Sequence, residues 1–234
     1  MLEQIPTHLV GGPLGAGKTS LIRQLLTQKP ADERWAVLVN EFGQIGLDAA
    51  LLGPDTDGVT MAEIPGGCLC CVNGLPFQVG LARLLRKARP DRLLIEPSGL
   101  GHPAELLRQL RQPPWQRVLA VQPSVLVLDA AALHRGETLP DSQRQALPDA
   151  GLLLLNKSEG LDDPSRQALV RQLPERPLYW TTQGQLPIDR LPGIGARARE
   201  SGQPISLPNG APALNQVWLD TGKAICQVQA TPHA

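Results

Sequence analysis

Residues 9–20 read LVGGPLGAGKTS: an apolar run, a glycine-rich turn, then the opening of a helix-like stretch, KTSLIRQLLTQ. Gly12 to Thr19 match the spacing G-x-x-x-x-G-K-[ST], and few local patterns constrain a fold as tightly. Such a turn has to follow a strand and lead into a helix. Its backbone N–H groups and the positive end of the helix dipole then surround a phosphate together. Gly12, Gly15, Ala16 and Gly17 form that cradle, with Lys18, Thr19 and Ser20 opening the helix. Lys18 reaches the β- and γ-phosphates, and the Thr19 hydroxyl is a ligand for Mg²⁺. A glycine turn that merely caps a helix is the plainer alternative, and the correct flanks on both sides argue against it.

The rest of the chain is written for the same kind of fold. THLV, RWAVLV, VTMAEI, RLLIE, SVLVLD and GLLLLN read as strands. The last two are apolar almost throughout, as parallel strands buried on both faces are. Helix candidates lie between them: KTSLIRQLLTQ, LPFQVGLARLLRKA, HPAELLRQLR and DDPSRQALVRQL, the last with Asp162 or Asp163 as cap. A polar stretch, LPDSQRQALPDA, precedes the sixth strand. Strand alternating with helix predicts an α/β fold with a mostly parallel sheet flanked by helices. The pattern fades near residue 185. We expect a nucleotide-binding domain over residues 1–185, then a linker and the start of an incomplete C-terminal domain over 186–234.

Two further strand ends carry polar residues in a telling order. LLIEPSGLGHP places Glu96 at the end of a strand and Gly99 three residues on. A carboxylate there can hold the Mg²⁺ shell, and a glycine N–H just after it can sense a γ-phosphate. LLLLNKSEG then sets Asn156, Lys157 and Glu159 after a buried strand. Asn-Lys-x-acid is the layout that reads guanine, whose ring N–H and exocyclic amine both donate to the carboxylate. It favours GTP over ATP, although Glu159 is one methylene longer than the usual Asp.

The third feature is GGCLCC, residues 66–71. Three of the four cysteines in the chain are Cys68, Cys70 and Cys71. Thiols so close in sequence make a poor disulfide framework. No signal peptide or membrane-length segment is apparent, so a cytoplasmic, reducing compartment is expected. Soft thiolates select Zn²⁺, Co²⁺ or Cu(I) over Mg²⁺, and three sulfurs with an open fourth place suit an exchangeable ion. Small buried residues or a redox thiol pair are the alternatives. Lys+Arg and Asp+Glu are both 22 and aromatics only 3%, so neither a nucleic acid nor a membrane surface is an expected partner. Of His8, His102, His134 and His233, His102 alone follows the phosphate-sensing turn, where a cap or surface role still suits it best. Cys226 reads as a small apolar residue, and Tyr179 and Trp180 read as core.

With NEFGQIGLD at 40–48 added, these motifs in this order resemble the G3E P-loop GTPases of the CobW-like, cobalamin-biosynthesis type. That resemblance spans about residues 5 to 185. It implies a GTP-hydrolysing metallochaperone with Zn²⁺ or Co²⁺ as cargo, a client metalloprotein and a possible homodimer. No arginine finger is evident in cis, so slow intrinsic turnover is expected. It also implies that NEFG is a switch segment, with Glu41 and Asp48 as candidates for the Mg²⁺ shell or the attacking water. Gln44 stands where the family commonly has an acid, and the family continues into a second, smaller domain. A small-molecule kinase with structural cysteines and a non-catalytic, nucleotide-dependent metal buffer are the rival readings.

Overall fold

The computed structural model describes residues 2–39, 58–63 and 75–200. Its centre is an eight-stranded sheet. The strands are β2 (Ile5–Gly11), β3 (Trp35–Val39), β4 (Val59–Glu63), β5 (Arg92–Glu96), β6 (Leu119–Val121), β7 (Val125–Asp129), β8 (Leu152–Asn156) and β9 (Leu178–Trp180). They lie in the order β4-β3-β5-β2-β7-β8-β9, with β6 also paired to β2. Each pairing among the described residues of this sheet is parallel. A separate two-stranded ribbon joins β1 (Leu2–Glu3) to β10 (Arg199–Glu200).

The sheet is apolar on both faces because successive strand residues alternate sides. Leu9, Leu38 and Ile95 pack with α2 (Leu75–Ala88) and α3 (Pro103–Leu110). Val10, Val37 and Leu94 point the other way, with Leu21, Ile22 and Leu25 of α1 (Lys18–Thr27). Further along the sheet, Leu126, Leu128, Leu153 and Leu155 meet Leu169 of α6 (Asp163–Val170) and Ala130 of α4 (Ala130–His134). Each fully buried leucine of this kind contributes roughly 1.5–3 kcal/mol. Tyr179 and Trp180, expected as core, are half-buried on edge strand β9.

Three findings lie beyond the sequence reading. β6 and β7 run one after the other along the same edge of β2, with Pro123 in the break between them. Proline has no N–H for the ladder, so one strand becomes two. α4 and α5 (Asp141–Arg144) are single turns, too short for helical periodicity to announce them. The segment after 185 runs back over the sheet, with Leu186 and Leu191 buried against α1.

At the amino ends of the strands that segment is tied down by charge. Arg92 is fully buried and donates to the carbonyls of Ile194 (2.7 Å) and Ala196 (3.1 Å), to His8 Nε2 (2.7 Å) and to Glu33 Oε2 (3.5 Å). Glu33 also accepts from Trp35 Nε1 (2.7 Å) and from Arg197. Burial pushes the Arg92 guanidinium below its ordinary pKa, and Glu33 works against that. His8 is lowered to about 3 by burial first and by Arg92 second, so its imidazole is neutral and accepts at Nε2.

Candidate functional site

β2 ends at Gly11, and the chain turns through Gly12, Gly15 and Gly17, whose φ values are +140°, +75° and +105°. α1 starts at Lys18 with no side-chain cap and no acidic residue in its first turn. Its first N–H groups and dipole therefore face the glycine turn uncompensated, as an anion site requires. The contrast is α6, where Asp162 accepts from Ser165 N and caps the helix in the ordinary way. Gly17 tolerates no side chain, since a Cβ would collide with Asn156 Nδ2. Lys18 is buried, with Nζ 3.1 Å from the Pro13 carbonyl of its own loop. Ser20 is exposed one position beyond Thr19.

Two strands bring the remaining groups to this turn. Thr19 Oγ1 donates to Glu96 Oε1 at 2.7 Å across 77 residues of sequence. Glu96 is 1% exposed at the carboxyl end of β5, which lies beside β2. A hydroxyl and a carboxylate oxygen side by side are hard ligands of the kind Mg²⁺ takes. Gly99 lies against the same loop: a Cβ on it would stand 2.5 Å from Leu14 N. Close packing of two backbones thus requires glycine here. Leu14 and Leu100 are exposed at this contact.

Asn156 closes β8 and is 2% exposed. Its Nδ2 donates to the Ala16 carbonyl (2.8 Å) and its Oδ1 accepts from Gly184 N (3.0 Å). It therefore clasps the phosphate turn to the loop after β9. Lys157 has a positive φ of 57°, and its Nζ donates to Asp129 Oδ2 at 2.6 Å. Burial works to raise Asp129, but Lys157 and the Ala132 N–H outweigh it and hold the carboxyl below its ordinary pKa. Glu159 is lowered by its own backbone N–H and then by the Thr182 hydroxyl. Ser158 Oγ donates to the Thr181 carbonyl (2.9 Å), which locks this loop to the one after β9.

The structure thus brings together Gly12, Gly15, Ala16, Gly17, Lys18, Thr19, Glu96, Gly99 and Asn156, with Lys157 and Glu159 on the adjoining loop. Asp129 at the end of β7, and Thr182 and Gly184 on the loop after β9, meet that loop and are not marked by any motif in the sequence. A polar loop with a glycine after the last strand was the available signal. His102 precedes α3 at its cap position and makes no side-chain capping bond. Glu41, Gln44, Asp48, Cys68, Cys70, Cys71, Cys226 and His233 lie outside the described residues. Among the described residues no group of three or more His, Cys, Asp or Glu could hold a metal ion, and no helix is long and apolar enough to cross a membrane.

A glycine cradle between strand and helix, a hydroxyl–carboxylate pair beside it and an Asn-Lys-x-acid loop define a P-loop nucleotide-binding domain. The sequence profile of the CobW/HypB/UreG nucleotide-binding domain matches residues 6–176, and the chain belongs to that family. It is 47% identical over 166 residues to the zinc chaperone YeiR of Escherichia coli, covering 70% of this chain and 50% of YeiR. It is 31% identical over 232 residues to the zinc chaperone CobW of Pseudomonas aeruginosa, covering 84% of this chain and 62% of that protein. The chain therefore spans between about half and two thirds of the length of these relatives. The fold matches the Zn(II)-bound YjiA GTPase from E. coli with a TM-score of 0.58 at 21% identity, over 80% of this chain and 61% of YjiA.

Proposed function

We propose that this chain carries the GTPase unit of a zinc-handling metallochaperone, in which nucleotide state sets the affinity for the metal cargo. One observation carries the reading. Glu63, Val39 and Glu96 stand in register across β4, β3 and β5. β4 thus ends at Glu63 level with Glu96, two strands away and about 10 Å at ordinary strand spacing, and Cys68 follows Glu63 by only five positions in the sequence. The zinc chaperone names of its relatives and the three thiols favour Zn²⁺ as cargo, with Co²⁺ next.

The residues divide the work. The uncapped α1 N-terminus, the glycine turn and Lys18 bind and orient the phosphates. Thr19 and Glu96 would hold Mg²⁺, which would neutralise charge on the phosphates. Gly99 reports the terminal phosphate, and Asn156, Lys157 and Glu159 face the guanine. Glu41 and Asp48 are proposed for the attacking water or the Mg²⁺ shell. Turnover of the isolated chain is slow, and the compartment is a reducing one such as the cytoplasm.

The test is a Zn²⁺ titration against a chromophoric chelator, with a GTP analogue, GDP or ATP present, on wild type and Cys70→Ser. Zn²⁺ affinity should differ about tenfold between the analogue and GDP, the size of an ordinary coupling between two sites. ATP should leave it unmoved, and Cys70→Ser should abolish the difference. Equal Zn²⁺ affinity in every nucleotide state sinks the proposal.

A further inference from the structure

One residue of the polar stretch LPDSQRQALPDA holds the phosphate-sensing turn. α5 packs against α3, and α3 begins directly after that turn. From α5 Gln143, 1% exposed, sends Nε2 to the carbonyl oxygens of Gly99 and Gly101, each at 3.2 Å. An amide NH₂ has two hydrogens, so both are spent on the turn. The P-loop backbone closes against the same turn at Leu14 and Gly99, which leaves it held between two supports.

Inside the turn Gly101 N donates to Ser98 O (2.8 Å) and Leu100 N to Ser98 Oγ (3.3 Å). A trans peptide points its C=O and the following N–H in opposite directions. Drawing the Gly99 carbonyl toward Gln143 therefore turns the Leu100 N–H away from it. Gln143 Oε1, in contrast, is buried with no hydrogen-bond partner among the described residues. Such a group costs stability, so its donors are what the position uses.

We infer that Gln143 is the positioning residue of the phosphate-sensing turn. Its amide holds the Gly99–Leu100 and Gly101–His102 peptide groups, and so fixes the turn that follows the Gly99 N–H, so that the turn can register a terminal phosphate. This rests on the nucleotide reading above and deepens it, because Gln143 acts through the turn's carbonyls.

Gln143→Met keeps the length of the side chain and removes both donors. GDP affinity, set by the cradle and the base loop, should hold. Preference for a non-hydrolysable GTP analogue over GDP should fall about tenfold, with kcat falling and KM moving less. Gln143→Glu, which faces an acceptor toward two carbonyls, should lose more. Gln143→Asn draws the amide back by one methylene and should lose the same preference if the methionine variant does not fold. Added to Gly99→Ala, Gln143→Met should cost little more, since both act through one turn. The inference is overturned if the analogue-to-GDP ratio and kcat stay at wild type, or if the two losses add in full. A wild-type chain that binds no guanine nucleotide defeats the proposed function instead. Hydrolysis by the wild type beside an unaffected Gln143→Met defeats this inference alone.

Discussion

β5 buries a charge at each end, and the two ends are put to opposite uses. Arg92 opens the strand at 0% exposure and Glu96 closes it at 1%. Arg92 spends its donors within the chain, on Glu33, His8 and the carbonyls of Ile194 and Ala196. Glu96 meets the Thr19 hydroxyl at the mouth of a glycine cradle whose helix has no cap. Equal burial on one strand therefore says little about role. What separates the two ends is position: Arg92 lies under the returning segment, and Glu96 lies beside the glycine turn where we propose the nucleotide binds.

Substitutions at the two ends should separate stability from turnover. Arg92→Met strands Glu33 without its buried partner and should cost about 3–5 kcal/mol of folding stability. The fraction that stays folded should bind nucleotide as wild type does, and denaturant melts beside nucleotide titrations check both. Loss of affinity without loss of stability would erase the contrast. Glu96→Gln should do the reverse: a fall of about a hundredfold in GTP turnover, equivalent to about 2.7 kcal/mol, with little change in melting. His8 acts only in acid and leaves stability at neutral pH unchanged. Its pKa is about 3 in the fold against 6.5 in the unfolded chain, so between those values the unfolded state binds more protons. Its contribution is whole above pH 6.5 and is lost as pH falls toward 3, at up to about 1.4 kcal/mol per pH unit. Arg92 faces it, with Glu33 and Arg197 beyond, and His8→Gln should flatten that acid limb in melts run from pH 7 to pH 4.

The same contrast marks what the sequence made legible. The buried strands announce themselves because a run such as LLLL at 152–155 has no other home than a two-sided sheet. The cradle is legible because its chemistry is local: the spacing alone puts Lys18 and Thr19 on the first turn of α1. Arg92 is not legible, since a charge at the start of a strand reads as solvent-facing. Only the returning segment with Ile194 and Ala196, about a hundred residues on, makes it interior. Gln143 sits on a single turn in a polar stretch, where no periodicity distinguishes one glutamine from another. The motif offers Asn156 for the base, whereas its amide bonds make it a clasp, because a motif names a residue without naming which backbone atoms will come to it.

That clasp has a consequence for how the chain acquires its shape. The Asn156 amide joins Ala16 to a side chain 140 positions later and accepts from Gly184 a further 28 along. Contacts of such separation form late, because the loop between them must be closed before they return anything. The glycine turn can be synthesised early, yet it is not braced until β8 and the loop after β9 have arrived. During synthesis, nucleotide capture would then mark the moment at which β8 and the loop after β9 dock against the glycine turn.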